Sequence, residues 1–237
     1  MNAMTESVMS DKDEIHKQAL LTGLPYMPEC EREHLTETYH QARVILEYGS
    51  GGSTEVAARM PGKYVMSVES DRGWARDLRN RLVGAECLSP VVVHHVDIGQ
   101  TGLWGRPLDD RCWRDFHLYP NDVWEQGWFR PPDTILIDGR FRTACLATVL
   151  LRTEQPVRVL FDDYLVRPLY QQVERIVRPI RLIGRMAEFE IEPGQVRPSE
   201  IGFLISQFFQ ASIHGMGEKY YAGNLAIAAN ETTRKAE

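Results

Sequence analysis

Residues 44–59 read VILEYGSGGSTEVAAR. An apolar run stops at Glu47, Gly49-Ser50-Gly51 follows, and an amphipathic segment begins after Thr54. A strand that turns through glycines into a helix aims free backbone N–H groups at whatever lies beyond the turn. Glycine also lets a ligand approach that backbone with no Cβ in the way. Two more apolar runs end in an acid: one at Glu69, 18 positions after Gly51, the other at Asp97. A carboxylate placed like Glu69 can accept both hydroxyls of a ribose. Acids at three strand ends, Glu47, Glu69 and Asp97, would repel a diphosphate and suit a cationic, nucleoside-like ligand. The dinucleotide pattern G-x-G-x-x-G is incomplete because Thr54 stands at the third glycine, which argues against a nicotinamide cofactor.

A second acidic group lies further along. LIDGRFR contributes Asp138, and LFDDY contributes Asp162 and Asp163. Strands ending there on one sheet edge would bring the three together, and clustered oxygen ligands suit Mg²⁺ or another hard cation. A metal there would lower the pKa of a substrate hydroxyl. Arg140 and Arg142 complicate that reading. Either arginine could bind a substrate carboxylate or phosphate, or the two could pair with Asp162 or Asp163 and brace the loops. Asp138, Arg140 and Asp162 are the candidate catalytic residues. His94 and His95 are adjacent in a strand and point to opposite faces, so they read as structural. Nothing in the spacing of His117 or His214 marks either as a base. No Ser-His-Asp order, nucleophile elbow or N-P-P-Y signature occurs.

The elements that must position these residues are legible as β-rich apolar runs at 43–48, 63–69, 90–97, 133–138 and 157–163. Helical patterns follow most of them: TEVAARM, RGWARDLRNRLVG, RTACLATVLLR and LYQQVERIVRP. The alternation predicts an α/β fold, doubly wound, with a mostly parallel sheet covered on both faces. Residues 1–42 are expected to form an N-terminal helical segment over a domain at 43–237. Residues 98–132 hold four of the five tryptophans, Trp104, Trp113, Trp124 and Trp128, and are too long for an ordinary connection. An insertion is expected there, with its tryptophans serving as an apolar lid, as a homo-oligomer contact or as self-packing. The C-terminal part runs through RLIGRMAEFEIE to a helix in PSEIGFLISQFFQ and a strand in NLAIAAN.

The chain has 237 residues, 43% of them hydrophobic and 25% charged, enough for a sizeable core. A net charge of −6 and the lack of a long basic run argue against nucleic acid as a partner. No apolar run reaches membrane-span length, and the polar N-terminus does not read as a secretory signal. Cys30, Cys87, Cys112 and Cys145 form no C-x-x-C pair and read as reduced thiols, so the expected location is cytoplasmic.

LEYGSGGST, then VMSVESDRGWARDL, then HHVDIG resembles the first three motifs of the class I S-adenosylmethionine-dependent methyltransferases. The resemblance spans about residues 44–230 and implies a Rossmann-like sheet of seven strands, the last antiparallel, with NLAIAAN in that role. It implies S-adenosylmethionine as cofactor. Glu47 and the backbone of Gly49–Gly51 would face its methionine part and Glu69 its ribose. Asp97 with Ile98 would sit at the adenine, and Ser50, Ser53 and Ser70 would line the same site. The acids at the fourth and fifth strand ends are similar to those of metal-dependent O-methyltransferases, with Asp138, Asp162 and Asp163 as metal ligands. This chain departs from the catechol type in carrying Asp-Asp in place of Asp-Asn. The implied activity is methyl transfer to a small molecule, at oxygen. The alternatives are a methyltransferase-like binding module without turnover and, further off, an NAD-linked enzyme.

Overall fold

Strands that are apolar on both faces need cover on both faces. The computed structural model, which describes residues 23–211 and 213, supplies it. Helix α1 (Glu29–Gln41) precedes β1 (Val44–Tyr48), α2 (Gly52–Arg59), β2 (Tyr64–Glu69), α3 (Arg72–Gly84) and β3 (Val91–His95). A short helix α4 (Leu118–Asn121) leads to β4 (Thr134–Ile137), α5 (Arg142–Arg152) and β5 (Val157–Phe161). The hairpin β6 (Arg181–Ile183) and β7 (Met186–Ile191) and helix α6 (Ile201–Gln207) complete the described chain. Among these residues seven strands form one sheet in the order β3-β2-β1-β4-β5-β7-β6. The first five are parallel; β7 runs antiparallel to β5, and β6 antiparallel to β7.

Strand alternation divides the core. Ile45, Val65, Leu136 and Leu160 pack with Leu35 and Tyr39 of α1 and Ala57 of α2. Leu46, Tyr48, Met66, Val68, Ile135 and Ile137 face the other way, onto α5 and the residues before β4. Helix α5 is buried from Arg142 to Leu150; after Arg142 that stretch carries only apolar residues and threonines, which allows it to be enclosed.

Residues 98–132 lie in the crossover from β3 to β4 and cover one sheet face, with Phe116, Tyr119 and Val123 buried there. The Trp124 Nε1 donates to the Tyr48 hydroxyl (2.7 Å), which donates to the Pro120 carbonyl (2.7 Å). Trp124 and Trp128 therefore serve the core, whereas Trp104 and Trp113 stay about half exposed, at 48% and 49%. The segment LYQQVERIVRP forms a 3₁₀ helix, Pro168–Arg175, in place of an α-helix. That geometry aligns residues three apart, and Tyr170, Val173 and Ile176 all reach the core. The antiparallel strands come from RLIGRMAEFEIE, while NLAIAAN lies outside the described residues. So do residues 1–22 of the expected N-terminal segment and His214. Helix α1 packs its buried Leu35 and Tyr39 into the core as part of the same body.

The ends of β1 and β4 press together backbone to backbone. Gly49 has φ 101°, and a Cβ on it would stand 2.6 Å from the Gly139 backbone. Gly49→Ala is expected to lose about 2–4 kcal/mol, combining left-handed strain and overpacking. Gly62→Ala, also at positive φ but with no neighbour within 4 Å, should lose about 1–2 kcal/mol. Urea denaturation of both variants measures this; equal losses would remove the β1–β4 contact from the explanation.

Candidate functional site

The parallel strands end at one edge, where open α/β sheets bind ligands. A groove of about 400 Å³ lies among Thr38, Gln41, Asp133, Arg158, Glu190 and Glu192, near the starts of β4 and β5, and so at the opposite edge. At the ligand edge the glycine run divides its tasks. Gly49 makes room for Gly139, and Gly52 for the Leu24–Pro25 backbone, whose atoms a Cβ would meet at 2.3–2.5 Å. Only Gly51 has open space, with the Trp74 ring as its nearest neighbour at 3.7 Å. Two of these three glycines thus answer to the protein's own chain, and one faces the cleft.

Glu47 is fully buried on the α1 side of the sheet. Its carboxylate accepts from the Tyr39 hydroxyl (2.7 Å) and from Thr54 Oγ1. Burial raises its pKa, and the hydroxyls of Thr54, Tyr39, Ser53 and Ser67 counter that rise. Ser53 is buried beside it. In this arrangement Glu47 anchors α1 and the start of α2 beneath the glycine turn.

Glu69 ends β2 at the cleft. Its Oε2 accepts from the Ser50 hydroxyl (3.0 Å) and Ser50 N–H (3.3 Å), and its Oε1 from the N–H groups of Ser70 (2.7 Å) and Asp71 (2.8 Å). Burial raises its pKa against these bonds. The Ser70 hydroxyl donates to the Gly105 carbonyl (2.9 Å), which brings the turn Leu103–Gly105 over this carboxylate. The Asp71 side chain caps α3 and Trp74 Nε1 donates to Ser50 O (2.7 Å), so α3 holds the glycine turn from above. Asp97 is exposed just past β3 and accepts from Gly99 N–H, and Ile98 is buried next to it.

Asp138, Asp162 and Asp163 do meet, as their strand ends require, but around a guanidinium. Arg142 donates to the carbonyls of Asp138 and Asp162 (both 2.6 Å). It pairs with Asp138 Oδ1 at 3.0 Å, Asp163 Oδ2 at 3.3 Å and Asp162 Oδ2 at 3.5 Å. Arg185 adds pairs to Asp163 (3.0 Å), Asp162 (3.3 Å) and Glu31 (3.6 Å), and Arg167 one to Asp163 (3.5 Å). Four carboxyl groups thus face three guanidiniums, and charge balances when one carboxyl keeps its proton. Burial, the Asp162 charge and the hydrogen bond to Asp162 push the Asp138 pKa well up, against Arg142. For Asp162, Arg142, that hydrogen bond and Arg185 outweigh burial and hold its pKa below the usual range. The shared proton is thus drawn toward Asp138 and away from Asp162. The metal reading is corrected accordingly: Arg142 occupies the centre that a cation would need. Among the described residues no group of three or more His, Cys, Asp or Glu side chains could hold a metal ion.

Arg140 points elsewhere. It is partly buried, and burial together with the charges of Arg142 and Arg106 lowers its pKa to about 10. Phe141 (φ 49°) sits in left-handed backbone between Arg140 and Arg142. Trp104 (φ 62°) and Asp163 (φ 60°) are the other non-glycine residues so placed among those described. All three lie at this edge, where strain held by surrounding structure commonly marks function. Sequence reasoning missed Tyr39, Arg185, Glu31 and Arg106. None belongs to a local motif, and only the fold brings them in.

These charges carry a pH signature. A carboxyl with a raised folded pKa binds more protons folded than unfolded, so its contribution to stability falls as pH rises above the ordinary value. Asp162, with a depressed pKa, contributes stability that is lost as pH falls through its folded pKa. Asp138→Asn should therefore raise stability at neutral pH and flatten the decline that sets in as pH rises above about 4. Arg142→Met leaves buried carboxylates uncompensated and should lose about 3–5 kcal/mol. Urea unfolding from acid to neutral pH tests both; an Asp138→Asn variant less stable at neutral pH with an unchanged slope would contradict the raised Asp138 pKa.

No protein-family model and no curated protein matches the chain. Solved structures do. A methyltransferase-like protein from Silicibacter pomeroyi DSS-3 is 44% identical, over 78% of this chain and 97% of that one, with a TM-score of 0.74. An O-methyltransferase from Bacillus cereus in complex with SAH is 18% identical, over 76% and 89%, at a TM-score of 0.47. The O-methyltransferase TomG from Streptomyces achromogenes, involved in tomaymycin synthesis and complexed with SAM, is 20% identical, over 78% and 89%, also at 0.47. The sheet order, the glycine turn between β1 and α2, and the 44% identity over nearly the whole of the Silicibacter protein agree. The chain belongs to the S-adenosylmethionine-dependent methyltransferase family.

Proposed function

We propose that this protein transfers a methyl group from S-adenosylmethionine to a hydroxyl oxygen of a small molecule. One observation carries the reading: Glu69, a buried carboxylate already accepting a hydroxyl from Ser50 at 3.0 Å, shares a sheet edge with Asp138, two strands away across β1. The residues suit the cofactor. The Ser50 hydroxyl bound to Glu69 is the kind of partner a ribose hydroxyl would be, and Gly51 leaves open space beside it. Asp97 and Ile98, next along the edge, would take the adenine, and the glycine turn with Ser70 would take the rest.

The cofactor, when bound, supplies an electrophilic methyl group on a sulfonium. The chain's own part is positioning and exclusion of water. Asp138 keeps about a third of its side chain exposed and so can meet a hydroxyl. Only its ionised form can take the hydroxyl proton, and the raised pKa makes that form a stronger base than a solvent carboxylate. Asp162 and Arg142 hold Asp138 in place. No step is assigned to a metal, because the carboxylates that would bind it are committed to arginines. Among the described residues no helix is long and apolar enough to cross a membrane.

S-adenosylhomocysteine should stabilise the protein, by about 2.7 kcal/mol at 100 times its dissociation constant, and NAD should not. Glu69→Ala should weaken that binding by about 1.5–3 kcal/mol while the fold survives. Calorimetry decides: binding of NAD but not of the adenosyl compound defeats the reading, and an unchanged affinity in folded Glu69→Ala removes the ribose role.

A further inference from the structure

Two walls of the cleft are joined by aromatic rings. Tyr26 precedes α1 and Trp104 follows β3, yet their ring centroids lie 5.9 Å apart with the planes tilted by 34°. Each ring stands beside backbone held tightly to the cleft. Next to Tyr26, the Leu24–Pro25 backbone lies against Gly52, where a Cβ would meet it at 2.3–2.5 Å. Next to Trp104, Gly105 lies against Glu69. A Cβ on Gly105 would stand 2.5 Å from Ser70 Oγ and 3.2 Å from Glu69 Oε1, and its carbonyl accepts from the Ser70 hydroxyl. Between these two footings lie Gly51, with open space beside it, and Ser50, bound to Glu69. The ring pair therefore bridges the stretch of cleft where a ligand hydroxyl would meet Glu69.

Neither ring packs into the core. Tyr26 is 64% exposed and Trp104 48%, and neither joins a core cluster. Trp104 nevertheless holds φ 62°, a backbone that strains any residue with a Cβ and suits glycine. The surrounding turn keeps it there. Gly102 N–H donates to Arg106 O (2.7 Å), Gly105 N–H to Gly102 O (3.1 Å), and Thr101 Oγ1 to Asp71 Oδ2 (2.9 Å). A strained, half-exposed tryptophan where glycine would sit without strain points to work done by its ring. Trp113, as exposed as Trp104 and in the same crossover, shows the contrast. Its backbone is outside the left-handed region, and the Arg114 guanidinium lies over its ring at 4.9 Å.

We propose that Tyr26 and Trp104 form an aromatic clasp that covers the nucleoside of the cofactor seated at Glu69 and slows its exchange. The identity of the covered ligand rests on the methyl-transfer reading above. Aromatic faces exclude water from a group beneath them, and hydrogen bonds to Glu69 strengthen in the drier site. The clasp joins the segment ahead of α1 to the crossover between β3 and β4, so entry and release of the ligand require the two rings to part.

Release of radiolabelled S-adenosylhomocysteine from the full chain, chased with unlabelled ligand, reads the clasp. Tyr26→Ala and Trp104→Gly should each release it about threefold to tenfold faster, the range for loss of one aromatic contact, and take it up no more slowly. Trp104→Phe, which keeps a ring, should restore most of the parent's retention, and Trp113→Leu should change neither rate. Trp104→Gly should melt no lower than Trp104→Phe, because glycine relieves the left-handed backbone. Release at the parent's rate in both Tyr26→Ala and Trp104→Gly, from a parent that binds, overturns the clasp and leaves the methyl-transfer reading standing. Slower uptake with unchanged release would mark a distorted glycine turn and overturn it equally. Should Trp104→Gly fail to fold, Tyr26→Ala decides by the same two rates. Failure of the parent to bind S-adenosylhomocysteine defeats the methyl-transfer reading, and the clasp with it.

Discussion

The buried guanidinium of Arg142 holds the working edge of the sheet together. It is the first residue of α5, where the helix dipole disfavours a cation. Its tolerance there depends on Asp138, Asp162 and Asp163 and on the carbonyls of Asp138, Gly139 and Asp162. One side chain thereby ties the ends of β4 and β5 and the start of α5 into a single unit. Removing the charge would leave carboxylates that cannot all stay ionised at that spacing. The arrangement also sets the acidity of Asp138, since a surplus of carboxyl over guanidinium groups pushes its pKa up.

A parallel economy governs Glu47. Its position before the glycine turn suggests a ligand contact, yet its bonds run inward to Tyr39 and Thr54. A carboxylate at zero exposure is tolerated only when hydroxyls or cations replace water. Here the hydroxyls come from α1, α2 and β2, so the acid fastens the elements that frame the turn. Glu31 does the same from the other end of α1: its Oε1 accepts from the Arg185 N–H at 2.7 Å, and Arg185 reaches Asp162 and Asp163. The helix before the first strand is thus wired into both halves of the edge, and an exposed tyrosine ahead of it, Tyr26, meets Trp104 with ring centroids 5.9 Å apart.

The amino-acid sequence by itself determined the sheet and its edge. Unbroken apolar runs demand burial on both faces, strand–helix alternation demands parallel crossovers, and an acid closing each run must fall where those strands end. These are local or short-range constraints, so Glu69, Asp97, Asp138, Asp162 and Asp163 could be placed before any packing was known. Only the tertiary structure decided what each group does. Arg140 and Arg142 are two residues apart and identical in kind, yet with left-handed backbone at Phe141 between them only Arg142 enters the carboxylate cluster. Gly49 and Gly51 look alike in the motif, but Gly139, 90 positions after Gly49, claims the space beside one of them. Trp124 and Trp104 share a segment, and the Tyr48 hydroxyl draws the first into the core. The partners in each case come from distant parts of the chain, and pairing energies at 2.6–3.5 Å depend on how the crossovers place them, which no residue spacing encodes.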